Sequence, residues 1–186
     1  MDIEKIDYEK LKNPHPMFKW ISLEGYDPNT VDYYLESNKL AKKLATFKRL
    51  LIERELWLSD EYRSEEAVNA ILLAWFSGMQ CTVVYEVGNF QGMVAITNIY
   101  PNFKANVAFK IWDKKIWGKE FVRAGRELLD LYTEQFRLKR IGTETADPQV
   151  VKLAKLFGFT VEGESPCDFM WDKQLYTRYI LGRQGV

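Results

Sequence analysis

The chain has 186 residues, of which 47% are hydrophobic and 28% charged, values near the globular average that set aside disordered and fibrous classes and fit one compact domain. Lys plus Arg number 26 and Asp plus Glu number 26, so no global basic field draws nucleic acid to the protein and any anion site has to be local. No apolar run reaches the ~18 residues that span a bilayer, and Met1 to Lys12 is charged throughout without an apolar signal core, which predicts a soluble, cytoplasmic protein. The single histidine, His15, sits between two prolines, and the two cysteines, Cys81 and Cys167, are far apart. Neither CxxC nor HExxH occurs, so no metal site is expected. Gly163-Glu164-Ser165-Pro166-Cys167 lacks the second glycine of a nucleophile elbow, which disfavours a hydrolase triad. Spacing does not exclude a Cys81–Cys167 disulfide, although two reduced, buried thiols are the expectation for a cytosolic chain.

Met17 to Leu23 predicts an opening strand, Asp27-Pro28-Asn29 a turn, and Thr30 the N-cap of a helix to about Leu44. Ser64 followed by two glutamates starts a second helix, with Ala67, Val68, Ile71, Leu72, Trp75 and Phe76 on one face and Gly78 as C-cap. Thr82 to Val87 and Phe90 to Tyr100 read as strands joined by Gly88-Asn89 as a two-residue hairpin turn. Ala105, Val107, Phe109 and Ile111 then alternate with Asn106, Ala108, Lys110 and Trp112, a strand with one firmly buried face.

Between Asp113 and Gly118 the period switches, and Phe121, Ala124, Gly125, Leu128 and Tyr132 recur at helical spacing to about Gln135. Ile141 to Ala146 is a short strand. Asp147 caps a helix beginning at Pro148, carrying Val150, Val151, Leu153, Ala154 and Phe157 and ending at Gly158. Phe159 to Glu164 and Gln174 to Leu181 close the chain as strands separated by a polar stretch with Pro166 and Asp172, in which Ser165-Pro166-Cys167 reads as a turn. The sum is an α/β (α+β) domain with a mixed, largely antiparallel sheet and helices on both faces. Residues 1–186 form one domain, with residues 1–63 a mostly helical, variable portion and residues 64–181 the core.

This order of elements, with Gly118 opening a helix after a strand and Asp147 lying upstream of Leu156-Phe157-Gly158-Phe159-Thr160-Val161-Glu162-Gly163, resembles the GNAT superfamily of N-acetyltransferases. The family's loop pattern, Gln/Arg-x-x-Gly-x-Gly/Ala, is matched by Lys115-Ile116-Trp117-Gly118-Lys119-Glu120. Its later pattern, an Asn-started helix running into Leu-Gly-Phe, is matched with Asp147 for Asn and Phe157 for Leu. The resemblance implies acetyl-coenzyme A as co-substrate and an amine, small molecule or protein, as acceptor. It also implies a coenzyme site formed by Lys115, Ile116, Trp117, Gly118, Lys119, Glu120 and Phe121. The physical basis is that unpaired N–H groups at a helix start, reinforced by the helix dipole and a glycine, accept a pyrophosphate. Between Lys110 and Glu127 the cations Lys110, Lys114, Lys115, Lys119, Arg123 and Arg126 outnumber the anions Asp113, Glu120 and Glu127 by three. On spacing alone this stretch serves equally well as the solvated face of a helix.

Three departures accompany the resemblance. Glu120 stands where the family has a small residue. Ala154 stands where many members carry a tyrosine that protonates the thiolate. Asn106, Ala108 and Lys110 supply no carboxylate base from the central strand, which leaves Glu144 and, on the hairpin, Glu86. The pair left for proton transfer is Glu144 with Tyr179 or Tyr176, of which strand alternation lets only one face a cleft. Trp112, Trp117 and Trp171 could line an acyl or acceptor pocket or serve as packing. The alternative function is a catalytically silent fold of this type acting as a binding or assembly protein, as in divergent bacteriophage copies.

Overall fold

The computed structural model describes residues 6–21, 43, 45–76 and 82–185. The helix expected from Thr30, the Gly78 cap and Cys81 lie outside the described residues. A short helix α1 (Tyr8–Lys12) is capped by the Asp7 side chain, which accepts from the Lys10 N–H. It leads into β1 (Phe18–Ile21). Residues 45–52 form α2. The next helix, α3 (Glu65–Phe76), starts where Ser64 Oγ accepts the Ala67 N–H at 3.1 Å, the capping expected of that serine. Strands β2 (Val83–Val87), β3 (Gly92–Tyr100) and β4 (Lys104–Ile111) form an antiparallel meander. Then follow α4 (Lys119–Phe136), β5 (Arg140–Thr145), α5 (Pro148–Leu156), β6 (Thr160–Trp171) and β7 (Gln174–Gln184).

The seven strands make one sheet in the order β1-β2-β3-β4-β5-β7-β6. Of its pairs only β4–β5 is parallel. Strand alternation sends Phe18, Tyr85, Val94, Ile96 and Val107 to one face, where they pack with Phe121, Leu128 and Tyr132 of α4 and Val151 and Leu153 of α5. Val84, Met93 and Ala95 point to the other face and pack with Phe47, Leu50 and Leu51 of α2, with Leu56, and with Val68 of α3. The mixed sheet covered on both faces is the architecture expected.

Two turns differ from the sequence expectation. Val87 pairs with Gly92, so the β2–β3 connection has four residues, Gly88 to Gln91, and not two. Gly88 and Phe90 both take positive φ, which lets the Phe90 ring turn onto Trp112 at 4.8 Å, while the Phe90 carbonyl accepts the indole N–H of Trp112. The polar stretch after Glu164 belongs to β6: Ser165-Pro166-Cys167 is a bulge, with Cys167 at φ 55, and the reversal occurs at Asp172-Lys173, both at positive φ. A proline inside a strand is tolerated here because β6 is the sheet edge. The same position leaves Cys167 free and exposed, a correction to the buried thiol expected.

Phe157, which ends α5, is buried between Phe109 at 4.9 Å and Phe121 at 5.5 Å. It lies so close to α4 that a Cβ at Gly125 would come within 2.6 Å of its ring. Removing a helical glycine gains ~1 kcal/mol of propensity, whereas forcing an atom into a packed core costs ~1–3 kcal/mol. Gly125→Ala is therefore expected to lower the midpoint of chemical denaturation, and Gly125→Ala with Phe157→Leu to restore part of it. A midpoint raised by the single change would show the contact to be slack.

Candidate active site

The parallel pair that joins the two halves of the sheet is short. Only Lys104, Ala105 and Asn106 of β4 face Arg140, Ile141 and Gly142 of β5; beyond them the strands part. The gap is a cleft of about 120 Å³. On one bank stand Ala108, Phe109, Lys110 and Ile111 of β4. Thr143, Glu144 and Thr145 of β5 and Val150 and Leu153 of α5 form the other, and Glu55, Leu56 and Trp57 close one side. The second bank has a local cause. Asp147 Oδ1 accepts the Gln149 N–H at 2.8 Å, and Pro148 takes the first helical position, so β5 turns into α5 at the cleft wall.

Lys110 lies on the cleft floor, on the same sheet face as Ala108 and Met93, and its Nζ donates to the Trp57 carbonyl at 2.6 Å. Burial pushes its ammonium down to about 8; Arg63 pushes the same way and Asp147 opposes. The sequence counts this lysine among the local cations between Lys110 and Glu127. Alternation marks its side of β4, but the covering of that side by the segment after α2 is a tertiary fact with no local signal.

The cover is fastened in two ways. Arg63 donates to the carbonyls of Leu51 and Leu56 and pairs with Asp60. The β6–β7 reversal docks on the same segment, with the Lys173 N–H donating to Asp60 Oδ2 at 2.9 Å and the Met170 N–H to Ser59 Oγ at 3.4 Å. Asp60's carboxyl is held below the usual range, first by the Lys173 N–H and then by Arg54. Trp57 is stacked on Trp171 with ring centroids 4.5 Å apart, and Tyr176 meets it edge-on at 5.2 Å.

Glu144 opens to this cleft, its Oε2 3.1 Å from Arg178 Nη1, while Arg178 also binds Asp168. Opposite Glu144 stands Ile180 and opposite Thr145 stands Tyr179, so Glu144 and Tyr179 point to opposite faces of the sheet. Tyr179 packs against the core shared with α4. Tyr176 is on the Glu144 side and donates its hydroxyl to Gln174. Glu86 is buried and paired with Lys43 at 2.5 Å under the helices of that face.

At the end of β4 the chain makes a 3-10 turn (Lys114–Ile116), with the Lys115 N–H capped by Asp113 at 3.0 Å. Gly118 then caps α4 through its backbone alone. The Val122 N–H donates to the Gly118 carbonyl, so the N–H groups of Lys119, Glu120 and Phe121 have no partner within the helix. Lys115, Gly118, Lys119 and Glu120 are exposed. Trp117 lines the cleft, whereas the Phe121 side chain is buried against Phe18 and Phe157, leaving only its backbone to meet a ligand. Lys114 spans the mouth, donating to Gln149 Oε1 at 2.5 Å with its ammonium 5.7 Å from the Trp117 ring centre. Trp112 packs between Phe47 and Phe90, away from the cleft. Among the described residues no cluster of His, Cys, Asp and Glu is placed to hold a metal ion, and no helix is long and apolar enough to cross a membrane.

No protein-family model and no curated protein sequence matches this chain. Solved structures do. A chimera of the spermidine N-acetyltransferase of Vibrio cholerae aligns over 77% of this chain and 90% of its own with a TM-score of 0.60 at 16% identity. The spermidine N-acetyltransferase of Vibrio cholerae in complex with CoA and spermine aligns over the same shares, 77% and 90%, with a TM-score of 0.58 at 20% identity. RimJ of Mycobacterium smegmatis in complex with CoA-disulfide aligns over 77% and 78% with a TM-score of 0.56 at 15% identity. The chain has the fold of the GNAT N-acetyltransferases.

Burial of Lys110 makes stability depend on alkaline pH. An unfolded lysine titrates near ~10.4 and Lys110 in the folded chain at about 8, so between these values the unfolded state binds more protons and stability rises with pH. Wild type is expected to gain unfolding free energy across this window relative to Lys110→Met, measured by urea denaturation at several pH values. Parallel curves for the two proteins would show that Lys110 titrates as an ordinary lysine.

Proposed function

We propose that this chain is an acetyl-coenzyme A dependent N-acetyltransferase acting on an amine. The observation that carries the reading is the cleft between the parted β4 and β5, ending at the glycine-capped start of α4. A slender pantetheine arm fits such a gap, because its amides can pair with the strand backbone that the parting leaves open. Its pyrophosphate reaches the N–H groups of Lys119, Glu120 and Phe121, with the charges of Lys115 and Lys119 beside them. The fold likeness to N-acetyltransferases, two of them with coenzyme A or a derivative bound, supports the same assignment.

In the proposed reaction the acceptor nitrogen, freed of a proton, attacks the thioester carbon. A β4 backbone N–H steadies the oxyanion, and the thiolate leaves. The acceptor approaches from the face that carries Trp57, Glu144 and Tyr176. Glu144, shared with Arg178, attracts the acceptor's ammonium, and Tyr176 and Trp57 wall its path. Tyr179, on the other face and packed against the core shared with α4, does not stand beside Glu144.

Titration with acetyl-coenzyme A tests the site directly. Ligand at 100 times its dissociation constant raises stability by ~2.7 kcal/mol, read as a thermal shift. At Gly118 a Cβ would meet nothing closer than the Ile116 carbonyl at 4.0 Å. Gly118→Leu should therefore keep the fold and lose binding, while Glu120→Gly, which removes a carboxylate from the phosphate's approach, should tighten it. Neither heat nor a thermal shift at millimolar acetyl-coenzyme A would overturn the reading.

A further inference from the structure

We propose that Lys110 is the proton carrier of the transfer, its amine taking the proton of the acceptor's ammonium and passing it to the departing thiolate. This deepens the acetyltransferase reading and rests on it. Lys110 lines the cleft from its β4 bank, the cleft in which the acetyltransferase reading seats the thioester, and one of its N–H groups is anchored on the Trp57 carbonyl at 2.6 Å. An amine held that way keeps its lone pair for a proton from the cleft, because the anchoring bond needs a donor in either protonation state.

The groups around it are already committed. Glu144 of β5 is engaged by Arg178, Glu55 by Arg49, and Lys114 by Gln149. Glu86, two strands away on the same face, is tied to Lys43. Arg63, before α3, opposes a charge on Lys110, and Asp147, at the start of α5, favours one. The outcome is a lysine that titrates at about 8, mainly through burial, close to the ~8.5 of a free thiol. Proton passage from this ammonium to a thiolate is then nearly level in energy.

The step balances as follows. The acceptor's ammonium gives one proton to Lys110. Its nitrogen bonds to the acetyl carbon, and the carbon–sulfur bond breaks with its electron pair on sulfur. The proton on Lys110 completes the thiol. The nitrogen's second proton leaves to water as the amide forms, and Lys110 returns neutral. One residue thus covers both functions for which the chain lacks the family's groups, the β4 carboxylate base and the tyrosine at position 154.

The test begins with coenzyme A binding by calorimetry in wild type and Lys110→Met. Absence of binding in both would remove the acetyltransferase reading itself, and this proposal with it. Where coenzyme A binds both, a panel of primary amines is assayed for thiol release. Wild type is expected to show a rise in rate centred near pH 8, and Lys110→Met to lose that rise together with ~10²–10⁴-fold in kcat/KM. Lys110→Arg should not rescue it, since a guanidinium stays protonated. Independently of turnover, competitive acetic anhydride labelling of the wild type, mapped by peptide mass spectrometry, should show Lys110 titrating near 8 and shielded by coenzyme A. Full turnover in Lys110→Met, an ordinary lysine titration, or labelling unaffected by bound coenzyme A would overturn the proposal. So would acetyl on Lys110 after incubation with acetyl-coenzyme A alone, because the residue would then be an acceptor and not a carrier.

Discussion

Two neighbouring parallel strands that stop pairing after three residues leave backbone donors and acceptors that must find other partners, and the rest of this structure is arranged around that debt. Where β4 and β5 part, each strand is held from its far side: β4 by its antiparallel pairing with β3 and β5 by β7. The parting therefore costs the sheet no continuity. Below the gap, Phe109 and Phe157 keep the core dry. At its end, Gly118 and Asp147 start two helices whose first N–H groups lie near the opening. A cleft with polar backbone along its banks and apolar packing beneath it is the natural seat of an extended chain carrying amides.

The position of Lys110 follows from how that cleft is roofed. A buried ammonium is costly, and a protein relieves the cost by pairing the charge or by releasing the proton. No carboxylate bridges Lys110 among the described residues; a main-chain carbonyl does. That carbonyl belongs to Trp57, in a segment held by Arg63 through the carbonyls of Leu51 and Leu56 and by the β6–β7 reversal through Ser59 and Asp60. The long edge hairpin thus reaches across the molecule to fix one oxygen atom. Its tip buries Trp171 against Trp57, which gives the docking its apolar component.

The sequence carried the local half of this picture. Ser64 and Asp147 announce their helices because their side chains bond the first turn, and alternation along 105–111 marks β4 because one face is apolar. Gly118 at the change of period marks the start of α4. What could not be read there depends on contacts between distant segments. The Gly88-Asn89 pair suggests a two-residue turn, but Trp112 draws Phe90 out of the strand and lengthens the loop. Pro166 suggests a break, but an edge strand absorbs it as a bulge. The polar face of β4 suggests solvent, yet Trp57 covers Lys110. Glu144 and Tyr179 are both cleft candidates in sequence, and only the β5–β7 register sets them on opposite faces.

The charge at the α4 turn shows how such contacts redistribute what composition suggests. Six cations between Lys110 and Glu127 read as a phosphate-attracting cluster. In the folded chain Lys110 turns to the Trp57 carbonyl, Lys114 to Gln149, Arg123 to Glu127 and Arg126 to the Leu156 carbonyl. Lys115 and Lys119 stay exposed at the turn, with Glu120 beside them. Two cations against one carboxylate is a weak, screened field at physiological salt. Beside so weak a field, the open N–H groups of α4 are the larger electropositive feature of this turn, and they hold their direction because Phe121, in the first turn, is locked in the core. The buried Phe121 ring is thus what aims the backbone N–H groups at the start of α4.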